Sequence, residues 1–313
     1  MGKIAFVFAG QGAQYAGMGK ELADNIEVCS NVFKEADEAL GFEISKLCFE
    51  GPKEALDITE NTQPAILTTS IAALKALEEK GIVPDVVAGL SLGEYSALVC
   101  SGVLNFADAV RLVKKRGKFM QEAVPVGVGT MAAVLGLSAE DVKSVCREAG
   151  ESGIVEPANF NCPGQIVIGG EIAAVKVASE LAKEKGAKVI PLSVSAPFHT
   201  SMLKLAARRL EEELKNVELG EVKIPYITNV TAEYIKETSN IKELLKKQVM
   251  SSVLWENTIK LMLEDGVDTF VELGPGKVLS GFIKKIDRKA TLVNIEDLKS
   301  LEKALEILNS QER

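Results

Sequence analysis

Between Asp85 and Val99 the chain must change direction sharply. Asp85-Val86-Val87-Ala88 reads as a short buried strand, Gly89-Leu90-Ser91-Leu92-Gly93 as a tight turn, and Glu94-Tyr95-Ser96-Ala97-Leu98-Val99 as the opening of a helix. A serine lifted onto a strand-to-helix turn needs neighbours without side chains, because the backbone has to pass close to other backbone. The start of the following helix adds N–H groups and a positive dipole end, both favourable to a developing oxyanion. The segment therefore reads as a nucleophile elbow, with a plain glycine-rich turn as the alternative. It also confines the fold to strands feeding helices, an α/β arrangement.

The rest of the chain follows that rhythm. Ile4 to Ala9 is the first buried strand, and Asn61 to Lys80 and Asn105 to Ala123 are helical. From Met131 onward the order changes. Met131 to Gly136 predicts a strand, Ser138 to Ala149 a capped helix, and Val155 to Asn161 and Gln165 to Gly169 two strands joined through Cys162-Pro163-Gly164. Glu171 to Lys185 predicts a helix and Ala187 to Val194 a strand. That succession, βαββαβ, is the ferredoxin-like unit. The expected architecture is a large α/β-hydrolase-like domain with a mostly parallel sheet, residues 1–127 and 198–313, interrupted by a small ferredoxin-like subdomain, residues 128–197. A further strand is expected at Thr269 to Leu273, and the segment from Glu296 reads as an amphipathic helix with a frayed tail.

Composition narrows the setting. With 313 residues, 47% of them hydrophobic, the chain can bury a substantial core. No apolar run approaches the ~20 residues of a membrane span, and the first strand is too short for a secretory signal. The five cysteines are odd in number and scattered, without a CxxC pair, which suggests reduced thiols in a cytoplasmic protein and no metal site. A formal charge of −8 argues against general nucleic-acid binding.

With a single histidine in the chain, the general base has one candidate. His199 lies in Ala196-Pro197-Phe198-His199-Thr200, at a junction between a strand and the predicted helix Ser201 to Lys215, where sheet sites gather. A packed or capping histidine is the alternative. The acids between Ser91 and His199, Asp108 and Asp141, read as helix-start residues, so a dyad oriented by a neutral acceptor is preferred to a triad.

Three further sites stand out. Gly10-Gln11-Gly12-Ala13-Gln14 follows the first strand but fails the dinucleotide pattern, because Tyr15 occupies the place of the third glycine. Gln11 is better read as a side-chain donor to an oxyanion beside the Leu92 N–H, or else as a polar loop residue. Gly274-Pro275-Gly276-Lys277 lacks the remaining features of a phosphate loop and reads as a turn. On the helix from Asn105, residues Arg111, Lys114, Lys115 and Lys118 share one face, while Arg116 falls nearly opposite, among Leu112, Val113 and Met120. An arginine turned inward must meet an anion, either an internal carboxylate or a substrate.

Taken together, these segments resemble the malonyl-CoA:acyl carrier protein transacylase family, acyltransferases of fatty-acid and polyketide synthesis. The resemblance runs nearly end to end: Phe8 to Gln14, Thr62-Gln63-Pro64-Ala65, Gly89 to Glu94, Arg116 to Gln121, Asn161 to Gln165 and Gly274 to Lys277. It implies Ser91 as the acylated nucleophile, His199 as base, Gln11 and the Leu92 N–H as oxyanion hole, and Arg116 as partner of a malonyl carboxylate. It further implies that the backbone carbonyl of Leu254 orients the imidazole and that the bulk of Phe198 favours malonyl over α-methylated groups. Malonyl-CoA and acyl carrier protein are the implied partners, in a cytoplasmic setting, without a cofactor, metal, nucleic acid or membrane. Two departures are visible: Leu90 stands where the family usually has histidine, and Cys162 where it usually has serine. A serine hydrolase and a nonenzymatic thioester-binding scaffold are the competing readings.

Overall fold

The computed structural model describes residues 2–194 and 196–311. Ser195, inside the inserted stretch, and the tail expected to fray beyond Gln311 lie outside the described residues. The main sheet contains β1 (Lys3–Phe8) and β2 (Val86–Gly89), side by side and parallel. Their side chains are almost continuously buried, as expected where helices cover both faces of a parallel sheet.

A second, four-stranded sheet follows in the chain: β3 (Gly129–Leu135), β4 (Val155–Cys162), β5 (Gln165–Glu171) and β6 (Lys188–Leu192). Its order is β4-β5-β3-β6 and every pairing is antiparallel. Helices Ala139–Ala149 and Ile172–Glu184 complete the βαββαβ order. The chain then returns to the main sheet through β7 (Tyr226–Ile227), β8 (Tyr234–Ile235), β9 (Val267–Leu273) and β10 (Thr291–Ile295). The main order is β10-β9-β1-β2-β7-β8, parallel except for the β7–β8 edge hairpin.

The period of two along β3 decides how the sheets meet. Ala132 and Val134 pack with Val142, Val145 and Ala178 against the small sheet's own helices. Met131 and Ala133 point the other way and join the principal core, as does Val167 of β5. The helix-free face of the small sheet is therefore turned toward the larger unit.

Strand direction fixes where a site can form. β1 connects onward to β2 on one side, while β9 lies on its other side, so the carboxyl ends of β1, β2 and β9 open into one crevice. Three glycine-bearing turns rim it: Gly10–Gln14 after β1, the elbow after β2, and Gly274–Lys277 after β9. The last is a turn, with Gly274 and Gly276 at φ 117° and 76°. Behind it Glu272 accepts from the Leu279 and Ser280 N–H groups and so caps helix Val278–Ile286. Among the described residues no helix is long and apolar enough to cross a membrane, and all five cysteines are free.

Candidate active site

Ser91 has φ 53°, left-handed backbone that a residue with a side chain adopts only when its surroundings impose it. The constraint is visible atom by atom. A Cβ on Gly89 would lie 1.9 Å from the Gly93 carbonyl carbon, and one on Gly93 would lie 2.1 Å from the Phe8 carbonyl oxygen. Both glycines are thus required by close backbone approach, and the elbow sits directly on the end of β1. Asn229, just beyond β7, locks the turn: its Oδ1 accepts from the Ser91 N–H at 2.6 Å and its Nδ2 donates to the Gly89 carbonyl at 2.7 Å.

His199 also has a left-handed backbone, φ 60°. Its loop is tied at both sides, by Thr200 Oγ1 donating to the Pro197 carbonyl and by Ser201 donating through N–H and Oγ to the Glu156 carboxylate. The expected helix from Ser201 begins as a 3₁₀ turn, Ser201–Leu203, before the α-helix Lys204–Lys215. The imidazole Nε2 lies 2.6 Å from Ser91 Oγ, and Nδ1 lies 2.8 Å from the Gln248 carbonyl oxygen. A carbonyl can only accept, so Nδ1 carries the proton and Nε2 is left free to receive the serine proton. Burial, with a further push from the Arg116 guanidinium, lowers the imidazole to about 4. The imidazole is therefore held in its neutral form near pH 7.

The carbonyl that faces His199 corrects the expectation at Leu254. Leu254 precedes helix Trp255–Glu264, and its carbonyl is taken up by the Thr258 N–H at 3.0 Å and the Thr258 hydroxyl at 3.1 Å. A residue at a helix start gives its carbonyl to the first helical bond, which leaves it unsuited to hold an imidazole. Gln248, at the end of helix Ile241–Val249, has a carbonyl that no further helical turn claims.

Arg116 is 1% exposed. Its Nη1 donates to Gln63 Oε1 at 2.8 Å, and its Nη2 to Gln248 Oε1 at 2.9 Å and to Ser91 Oγ at 3.1 Å. The guanidinium also lies 5.3 Å from the centre of the Tyr95 ring. Among the described residues no carboxylate bonds to it directly, so the internal ion pair left open by the sequence is not formed. Arg116 is a buried cation held by neutral acceptors beside Ser91.

A cavity of about 560 Å³ opens over Ser91, lined by Gln11, Leu90, Met131, Val167, Phe198 and His199 among others. Main-sheet turns supply its floor, and the small sheet supplies Met131 and Val167. Gln11 is half-buried and donates to Thr59 Oγ1 at 3.2 Å. Leu92 is buried at the start of helix Gly93–Cys100. Phe198 adjoins the histidine on the cavity wall. Cys162 is buried in β4 away from the cavity lining, and burial pushes its thiol up.

The basic stripe on helix Phe106–Glu122 is neutralised locally. Arg111 pairs with Asp108, Lys114 with Glu60, Lys115 with Glu213 and Lys118 with Glu122. Sequence reasoning missed Asn229, Gln248 and the Glu94 carboxylate. Gln248 had a readable signal: it shares the buried face of its helix with Ile241 and Leu245, where a glutamine is out of place. Asn229 had none, being a loop residue brought in by the fold.

The acyl transferase domain family model matches residues 5–305. The malonyl CoA-acyl carrier protein transacylase of Bacillus subtilis (strain 168) is 50% identical over 313 residues, covering 99% of each chain. The crystal structure of the malonyl CoA-acyl carrier protein transacylase from Clostridium perfringens ATCC 13124 superposes with a TM-score of 0.97 at 54% identity, covering 99% of this chain and 98% of that one. A malonyl-transacylase solved in complex with its type II PKS acyl-carrier protein gives a TM-score of 0.94 at 42% identity, covering 97% of this chain and 99% of that one. An elbow serine, a histidine and a buried arginine thus converge within a fold shared along its whole length, and the chain belongs to the malonyl CoA-acyl carrier protein transacylase family of acyl transferases.

Proposed function

We infer that the protein transfers the malonyl group of malonyl-CoA to the phosphopantetheine thiol of acyl carrier protein, for fatty-acid biosynthesis, with Ser91 carrying the group between the two. The observation that supports this most directly is the double engagement of one atom: Ser91 Oγ lies 2.6 Å from His199 Nε2 and 3.1 Å from Arg116 Nη2. Base and carboxylate partner are addressed to the same hydroxyl.

In the first half-reaction His199 Nε2 takes the Ser91 proton while Oγ attacks the thioester carbonyl. Gln11 Nε2 and the Leu92 N–H are our candidates to receive the oxyanion. The carbon–sulfur bond breaks, the proton passes from His199 to the CoA thiolate, and a malonyl ester remains on Ser91. In the second half-reaction the carrier thiol gives its proton to His199 and attacks that ester, and Ser91 leaves with the proton. Arg116 holds the malonyl carboxylate in both, and Phe198 limits bulk at the α-carbon. We assign residues 1–127 and 198–313 to the unit bearing this machinery and 128–197 to the inserted unit that roofs it. A cytoplasmic setting agrees with five free cysteines.

Intact-protein mass after mixing with malonyl-CoA tests the reading. A malonyl adduct is expected on the protein, lost on Ser91→Ala and transferred to the carrier when carrier is added. An adduct persisting on Ser91→Ala would refute the assignment, and one that disappears into water with no malonyl-carrier formed would make the protein a hydrolase.

A further inference from the structure

Glu94 opens the helix behind the nucleophile and is wholly buried. Burial pushes its carboxyl up to about 7, against the opposing pull of hydrogen bonds from Gln248 and Asn229 and of the Arg116 charge. A group so costly to bury calls for a reason, and its contacts supply one. A single oxygen, Oε2, accepts from Gln248 Nε2 at 2.7 Å and from the Asn229 backbone N–H at 3.1 Å. The other oxygen makes neither bond.

Those two partners are the ones that grip the nucleophile. Asn229 Oδ1 holds the Ser91 N–H, and Gln248 Nε2 donates to the Ser91 carbonyl at 2.8 Å. Gln248 also turns its Oε1 to Arg116 and its backbone carbonyl to His199. The two ends of an amide are nearly alike in shape, so its orientation is dictated by what surrounds it. Glu94 as acceptor and Arg116 as donor press Gln248 into the same orientation from opposite sides.

We propose that Glu94 is a positioning residue for malonyl transfer: through one carboxylate oxygen it fixes Gln248 and Asn229, and through them the places of Ser91, His199 and Arg116. Geometry, and not negative charge, is what it contributes. The inference rests on the malonyl-transfer reading above.

Substitutions that separate shape from charge test it. Glu94→Gln keeps the length of the side chain and can present its amide oxygen where Oε2 lies, without the charge. Glu94→Asp keeps the charge but is one methylene too short to reach both partners. The measurements are kcat/KM for malonyl-CoA and acetyl-CoA in the acylation half-reaction, with melting curves and with the wild-type adduct as control. Glu94→Asp is expected to lose about tenfold or more toward malonyl-CoA, the effect of leaving buried hydrogen-bonding groups unpaired, and to lower the malonyl-to-acetyl ratio by about threefold or more as Arg116 loses its support. Glu94→Gln should rescue most of both. The reverse ranking, Asp above Gln, overturns the proposal in favour of charge. Wild-type rates in both variants overturn it as well, and so does an equal loss toward the two acyl groups that follows the melting temperature. Failure of the wild-type protein to form a malonyl adduct would instead remove the transfer reading, and this inference with it.

Discussion

The backbone carbonyl of Gln248 lies 2.8 Å from Nδ1 of His199. Because that partner is a carbonyl and not a carboxylate, it fixes the tautomer without adding a charge that would raise the imidazole. Burial and Arg116 then dominate, and the imidazole stands near 4 instead of its ordinary 6.5.

The pH dependence of acylation follows from that displacement. A base works when unprotonated, so kcat/KM for malonyl-CoA should stay level from about pH 8 down to about pH 5 and fall only as pH approaches 4. The same shift affects stability in a defined direction. Between pH 6.5 and about 4 the unfolded chain binds a proton at His199 that the native state refuses, so this histidine withdraws stability as pH falls through that window. A pH–rate profile that breaks near 6.5 in the wild type and again in Glu94→Gln, which removes the buried carboxyl raised to about 7, would contradict the burial argument.

Arg116 should decide between acyl groups. Arg116→Ala is expected to lower kcat/KM for malonyl-CoA by roughly tenfold or more and to change acetyl-CoA much less, since each charge-assisted hydrogen bond is worth about 1.5–3 kcal/mol. Arg116→Lys should recover little, because a point charge cannot reproduce two parallel bonds to a carboxylate. An unchanged malonyl-to-acetyl ratio on the alanine variant would count decisively against the carboxylate role.

Asn229 is expected to matter as much as its absence from any sequence motif would suggest it should not. Asn229→Ala leaves the Ser91 N–H and the Gly89 carbonyl without their partners inside the protein. Two buried groups unpaired cost about 2–6 kcal/mol. A lower melting temperature together with slowed acylation is the expected pair of results; an unchanged melting temperature with wild-type acylation would mean that the elbow holds its shape unaided.

Two glycines should respond to alanine with opposite signs. At Gly93 an added Cβ would lie 2.1 Å from the Phe8 carbonyl oxygen, so Gly93→Ala must push the elbow away from β1, at about 1–3 kcal/mol or more. At Gly281, exposed within helix Val278–Ile286, an added Cβ meets nothing, and Gly281→Ala should stabilise by about 0.5–1 kcal/mol. Thermal denaturation of the two variants checks both.

Much of the site was legible because its signals are local. The elbow is written in consecutive residues, Ser138 bonds to an N–H group of the helix it was expected to cap, and Asn105 does the same for the helix predicted to start there. Arg116 was visible as a charge on an apolar face. What escaped notice lacked such marks. Helices Lys20–Asn25, Glu27–Leu40, Ile44–Glu50 and Lys53–Leu56 follow Gly19, Ile26, Glu43 and Pro52, none of which makes a side-chain cap bond, so no start signal announced them. β10 is short and partly exposed. The carbonyl that faces His199 is a backbone atom that every residue possesses, which is why Leu254 could be expected where Gln248 serves. The paired stripe from Arg111 to Lys118 shows the converse: four cations on one face of a helix, each answered by an acid, partly from distant segments such as Glu60 and Glu213.

Ser91 and His199 share one further property, a positive φ of 53° and 60°. Each is a position where glycine would relax the chain, by about 1 kcal/mol on the usual scale of left-handed strain. Selection for heat resistance alone would therefore erode these two sites before most others. A serine and a histidine at these two positions therefore hold their side chains at some cost in stability, a cost that the proposed reaction would require.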